Sequence, residues 1–272
     1  MLDPLVAGLA ARLAGGVQVS VGDVVVHAVE HGSGQPVVVL HGAGVDHREA
    51  EACFEPALRA VAGLRRVYPD LPGMGRTAAP ESLRSADDVL ATLLRFTDVV
   101  TGGEPFLLVG HSAGGYFAQA MAARRPERVA GLALVCPLLP GARDVPEHRV
   151  VLGSGDLGDE GFRSYVVVQT PELLDRYERF VAPAAALVDE AAMARIGARW
   201  ELAAAPAYPG PTLVVAGRQD STVGFAAAVD LLTEHPHATL AVLDGAGHAL
   251  PHEQPELLGA LLSGWCRSAA SR

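Results

Sequence analysis

The stretch Phe106–Gly115 reads FLLVGHSAGG. Its first four residues are all apolar, which predicts a short strand covered on both faces. The run ends in Gly110-His111-Ser112-Ala113-Gly114, and the Ala-rich segment Tyr116–Arg125 that follows reads as a helix stopped by Pro126. A G-x-S-x-G string between a strand and a helix puts its serine on a sharp, strained turn. The positions two residues to either side must then be glycine or nearly so, and Gly110 and Gly114 meet that demand. Such a turn projects the Ser112 hydroxyl into a cleft at the N-terminus of the helix. A tight structural turn with a solvated serine is the alternative, and the flanking strand and helix argue against it.

Working outward, Val17–Val21 and Val24–Val29 read as an antiparallel pair joined at Gly22-Asp23. Further strands are expected at Pro36–Leu40, Arg66–Pro69, Val129–Cys136, Thr212–Ala216 and Thr239–Leu243. Helices are expected at Ser85–Val100, at Phe225–His235 and from Pro255 onward. Strand and helix alternate, so the class is α/β with a mostly parallel sheet. The alternation breaks between Pro137 and Pro206. There Thr170-Pro171-Glu172 starts a helix with Leu173, Leu174, Tyr177 and Val181 inward, and Ala192, Ile196 and Trp200 mark another. Because the sheet resumes at once at Thr212, this block reads as an excursion over the sheet edge and not as a separate helical domain. At the start of the chain, Asp3, Pro4, Leu5, Leu9 and Leu13 predict an amphipathic helix ended by Gly15-Gly16.

The 272 residues are 50% hydrophobic and 19% charged, with a net charge of −10. An acidic surface repels nucleic acid and anionic lipid, so neither is an expected partner. Lys and Asn are absent and Ile196 is the sole isoleucine. Without lysine there is no Schiff-base chemistry, no lysine-anchored pyridoxal phosphate and no P-loop. Cys53, Cys136 and Cys266 are too few and too scattered for a disulfide framework or a zinc knuckle. Asp3 and Arg12 interrupt the N-terminal segment, which does not read as a secretory signal, and no stretch is long and apolar enough to span a membrane. A cytoplasmic location is expected.

These motifs resemble the α/β-hydrolase fold superfamily over almost the whole length. The resemblance implies a mostly parallel eight-stranded sheet flanked by helices, with a core at residues 1–136 and 207–272 and a small helical cap at 137–206. It also implies a serine, acid and histidine in the chain order Ser112, Asp220, His248. Asp220 lies in AGRQDSTVG and His248 in LDGAGHALPHEQP, each just after a strand. His248 would take the serine proton, and Asp220 would orient the ring and stabilise its charge. Asp244 is the nearer competitor and reads as a turn residue. The strand Val129–Cys136, after which some family members place the acid, is followed by no acid before Asp144. His41-Gly42-Ala43-Gly44 resembles the family's oxyanion loop, which makes the backbone N–H groups of Ala43 and Ala113 the candidate donors. His41 and His111 are expected to order their loops, and His252 to sit at the surface or a rim.

By the same resemblance, the expected activity is esterase-like hydrolysis of a small to medium, largely apolar carboxylic ester, thioester or lactone through a Ser112 acyl-enzyme. A non-hydrolytic member of the fold, such as a hydroxynitrile lyase, a cofactor-free oxygenase or a ligand-binding receptor, is the alternative. Serine at the elbow departs from epoxide hydrolases and haloalkane dehalogenases, and the absent Asn from many carbon–carbon bond hydrolases. Neither a cofactor nor a metal is expected, because the His spacing and Gly-rich loops match no such motif. The partner is a small-molecule substrate. Leu138, Leu139, Tyr165 and Trp200 are the candidate pocket residues of the cap; Phe162, Val166, Tyr177 and Phe180 are also available.

Overall fold

The switch of strand order at the centre of the sheet places the site. The computed structural model describes residues 10–13, 16–141 and 144–270. Among the described residues nine strands form one sheet: β1 (Ala10–Leu13), β2 (Gly16–Val21), β3 (Val24–Gly32), β4 (Gln35–Leu40), β5 (Leu64–Pro69), β6 (Phe106–His111), β7 (Val129–Val135), β8 (Thr212–Gly217) and β9 (Ala238–Leu243). The order is β1-β2-β3-β5-β4-β6-β7-β8-β9. Pairing is antiparallel from β1 to β5 and parallel from β5 through β4 to β9. The eight expected strands are all present, and β1 adds a ninth at the edge. That strand corrects the N-terminal helix reading for residues 10–13, which pair with β2; the rest of that expected helix lies outside the described residues.

The helices are α1 (His47–Leu58), α2 (Ala86–Thr101), α3 (Ala113–Arg124), α4 (Glu160–Tyr165), α5 (Pro171–Arg176), α6 (Ala182–Ala185), α7 (Glu190–Gly197), α8 (Ala226–Glu234), α9 (Leu250–Glu253) and α10 (Pro255–Ala270). The central strands alternate their side chains between two cores, as a period of two requires. Val38, Leu40, Leu108, Leu132, Leu134 and Val214 meet Leu90, Phe96, Phe117 and Leu231 of α2, α3 and α8. Val37, Val39, Leu107, Val109, Leu213 and Val215 meet Phe54, Leu58, Leu258, Leu262 and Trp265 of α1 and α10. Both faces are therefore covered, which explains the unbroken apolar runs. Helix α1 is not among the expected helices; it buries Glu49 on its inner face and carries Pro56 in its last turn.

β4 and β6 are neighbours, while the chain leaves β4 on one side to form β5 and returns to form β6 on the other. Such a switch opens a crevice at the carboxyl ends of the two strands. Between β7 and β8, helices α4 to α7 and a π-helical turn at Tyr177–Val181 lie over that end. Thr170 caps α5 by accepting from the Leu173 amide. Helix α7 ends at Gly197, so Trp200 lies beyond it and not on its face.

Candidate active site

Ser112 sits between β6 and α3 at φ 51°, ψ −120°, the strained turn that the glycine spacing predicts. A Cβ on Gly110 would lie 2.4 Å from the Gly114 carbonyl oxygen, and one on Gly114 would lie 2.4 Å from the carbonyl oxygens of Leu40 and His41. Three backbone bonds fix the turn: Ser112 N–H donates to Val135 O (3.0 Å), and Ser112 O accepts from Tyr116 N–H and Leu138 N–H (both 3.1 Å).

The loops after β8 and β9 bring Asp220 and His248 to this turn. His248 Nε2 lies 2.8 Å from Ser112 Oγ, and His248 Nδ1 lies 2.9 Å from Asp220 Oδ2. Asp220 is fully buried, and its other oxygen accepts from the amides of Thr222 (2.9 Å) and Val223 (3.0 Å). Burial pushes this carboxyl up, but the His248 hydrogen bond and charge, with the two amides, outweigh it and hold the group below the usual carboxylate range. An ionised Asp220 can only accept, so His248 Nδ1 donates to it and Nε2 is left to accept from Ser112 O–H. Asp244 is exposed and accepts from Gln219 Nε2 (2.7 Å), a turn role.

The loop after β4 runs beside the elbow. Leu71 N–H donates to His41 Nε2 (2.9 Å), so Nδ1 carries the ring proton and donates to Gly42 O (2.7 Å). Burial lowers the His41 pKa and keeps it neutral in this role. Ala43 lines the same cavity as Ser112. Ala113 is the first residue of α3, where an amide has no partner inside the helix. His111 Nε2 donates to His248 O (3.1 Å), and burial pushes the His111 pKa down to about 4. His252, expected at the surface or a rim, is instead only 4% exposed. It bonds Glu49 Oε1 through Nε2 (3.0 Å) and accepts from Arg176 Nε at Nδ1 (3.3 Å). Polar neighbours in sequence suggested exposure; the buried Glu49 of α1 is what draws it in.

The cavity above Ser112 has a volume of about 180 Å³. Gly42, Ala43, Gly44 and Val45 form one side, and Tyr165, Tyr177 and Val181 of the cap form the roof. Among the described residues, no lysine, arginine, aspartate or glutamate lines it. Of the four candidate pocket residues only Tyr165 is there. Trp200 stacks on Tyr116 of α3 (5.6 Å between centroids) and meets Phe117 edge-on, which ties the end of the cap to the core. Leu139 is buried in the core and lines a separate cavity near α3 and α8. Leu138 contributes its backbone N–H to the elbow and is not among the lining residues. Val45 and Val181 were missed, since their apolar spacing carries no sign of what they face.

Among the described residues, three buried groups have the donor types of a metal site: His27–His47–Asp70, Glu49–Cys53–His252 and Cys136–Asp220–His248. In the first His47 Nδ1 bonds Asp70 (2.8 Å), in the second His252 accepts from Arg176, and the third includes the Asp220–His248 pair; His27 Nε2 and Glu49 Oε2 have no hydrogen-bond partner among the described residues. Among the described residues no helix is long and apolar enough to cross a membrane.

The chain is similar to known proteins in sequence and fold. The chain is 25% identical over 261 residues to the AB hydrolase superfamily protein YfhM of Bacillus subtilis, covering 84% of this chain and 89% of that one. It is 29% identical over 266 residues to a 2-hydroxy-6-oxononadienedioate/2-hydroxy-6-oxononatrienedioate hydrolase of Pseudomonas putida, covering 86% and 88%. The solved structure of an alpha/beta superfamily hydrolase from Oenococcus oeni superposes with a TM-score of 0.83 at 26% identity, over 90% of this chain and 96% of that one. The alpha/beta hydrolase family itself matches residues 37–261. With the strand order, the elbow and this match in agreement, the chain belongs to the alpha/beta hydrolase family.

Proposed function

We propose that the protein is a serine hydrolase that cleaves small, uncharged carboxylic esters, thioesters or lactones through an acyl-enzyme on Ser112. The observation that carries this reading is the continuous relay of Ser112 Oγ, His248 and buried Asp220 at 2.8 and 2.9 Å, opening onto a cavity. In the first step Ser112 Oγ attacks the acyl carbon as His248 Nε2 takes its proton, and Asp220 stabilises the imidazolium. The carbonyl oxygen becomes an oxyanion held by the N–H groups of Ala43 and Ala113, each worth about 3 kcal/mol of barrier. Collapse expels the alcohol or thiol, which takes the proton from His248. Water, deprotonated by His248, then releases the acid and restores Ser112.

The cavity is smaller than the ~300 Å³ at which sites for drug-sized ligands begin, which favours a short acyl group. The Pseudomonas putida relative is named for a dicarboxylate, whereas among the described residues no arginine lines this cavity. That difference favours a neutral substrate, and a dicarboxylate belongs in the assay as the contrasting case. The test is fluorophosphonate labelling with mapping of the adduct, followed by p-nitrophenyl esters of increasing length, with thioesters and lactones added. An adduct on Ser112 and best turnover for short neutral acyl groups are expected. No adduct there would overturn the acyl-enzyme, and preference for charged or long acyl groups would overturn the substrate class.

A further inference from the structure

We infer that Glu253 is a positioning residue that couples the seating of the cap to the placement of His248; the inference rests on the hydrolase reading above. Glu253 ends α9, the short helix that begins two residues after His248. Its Oε2 accepts from the amide of Gly247 (2.6 Å), the residue before His248. Its Oε1 accepts from the amides of Val167 (2.6 Å) and Val168 (3.2 Å), both in the cap. One carboxylate thus bridges the histidine loop and the cap through three backbone donors. Losing this acceptor strands three amides at an interface.

The contact is also close in space. A Cβ on Gly247 would come within 2.9 Å of Val167 Cγ1, so the cap rests directly on the histidine loop. Val167 is itself held in place, since Val151 N–H donates to its carbonyl (2.7 Å) and Gln169 N–H donates to Leu152 O (2.7 Å). Both ends of the bridge lead to the cavity. Tyr165, two residues before Val167, forms its roof, and His248, one residue after Gly247, forms its floor. A shift of the cap at Val167 is therefore passed through Glu253 to Gly247 and on to the His248 ring. The other cap tie on this helix, Arg176 to His252 Nδ1 and to Ala52 O (3.2 Å), makes no bond to Gly247.

The test compares Glu253→Gln with Arg176→Ala in the full chain. A glutamine has one carbonyl acceptor, so its NH2 group opposes the amides on one side of the bridge. In Glu253→Gln, hydrogen exchange at Gly247, Val167 and Val168 is expected to speed up by about tenfold or more. The second-order rate of Ser112 labelling by a small fluorophosphonate should fall roughly tenfold to a hundredfold, because small misplacements of reacting groups have effects of that size. Arg176→Ala is expected to loosen the cap amides and leave Gly247 exchange and labelling within about twofold. Should Glu253→Gln not fold, Glu253→Asp, which keeps the charge but withdraws it by one methylene, should release one side with the same labelling loss. Unchanged labelling in a Glu253 variant whose cap amides have lost protection would reduce Glu253 to a structural staple and overturn the inference. An equal labelling loss in Arg176→Ala would overturn the route through Glu253. Absence of any adduct in the unmodified protein would instead defeat the hydrolase reading, and Gly247 exchange would still judge the coupling.

Discussion

The floor and the roof of the cavity are built in opposite ways. On the floor, Ser112, His248 and Asp220 are locked by short hydrogen bonds from loops at the carboxyl ends of parallel strands. In the roof, the phenol hydroxyls of Tyr165 and Tyr177 have no hydrogen-bond partner among the described residues, and they stand on short cap helices around a π-helical turn. The floor is over-determined and the roof is adaptable. Chemistry should therefore depend on single floor atoms, and selectivity on the shape of the roof.

The sharpest way to break this comparison is at the floor. Ser112→Ala should lower kcat by at least about 10⁴-fold and abolish fluorophosphonate labelling, and Asp220→Asn should lower kcat by about 10⁴-fold through the wrong His248 tautomer. Steady-state kinetics on the best ester checks both, and a loss under tenfold in either would place the chemistry elsewhere. Gly114→Ala acts one step back, since its Cβ meets backbone oxygens that cannot turn aside. A loss of at least about 3 kcal/mol of stability, or no folded protein, is expected; chemical denaturation measures it.

Changes in the roof should be milder and different in kind. Tyr177→Ala enlarges the cavity, so the preferred acyl chain should lengthen while kcat on short esters stays within about tenfold, the scale of one or two methylenes in an apolar pocket. A chain-length series reads this directly. Trp200→Ala lies outside both walls. It should cost about 2 kcal/mol through lost stacking on Tyr116 and Phe117, with KM unchanged; a raised KM would return Trp200 to the pocket.

The smallest expected effect is a pH dependence beside the roof. Burial pushes the Glu49 carboxyl up, but the hydrogen bond and charge of His252 carry it further the other way, to about 2. Its folded pKa lies below its unfolded one. Its contribution to stability is therefore full above the ordinary carboxylate range and is lost as pH falls toward about 2. Melting temperatures across that window should fall in the unmodified protein and fall less steeply in Glu49→Gln.

Ser112, Asp220 and His248 were readable one by one because each follows a strand, two of them fully buried and the third at the sheet edge, and strand ends in an open parallel sheet converge. Glycines made the elbow legible, since only a close approach or a positive φ explains their spacing. His252 and Glu253 gave no such signal. They stand four and five residues after His248 in a polar stretch, and their partners lie in α1 and in the cap, far away in sequence. Trp200 and Leu139 show the converse error. Apolar character says that a side chain will be covered, not by what, so both were assigned to a pocket and found packed against or within the core.

By itself, then, the sequence determined the α/β class, the strand-ending loops and the three residues of the relay. Those features depend on local periodicity and on turns that few residue types can make. Only the tertiary structure decided which cap side chains meet Ser112, that α1 and His252 share a buried charge, and that one carboxylate ties the cap to the histidine loop. These are pairings between segments as much as two hundred residues apart, set by how helices settle on the sheet and not by any pattern within either segment.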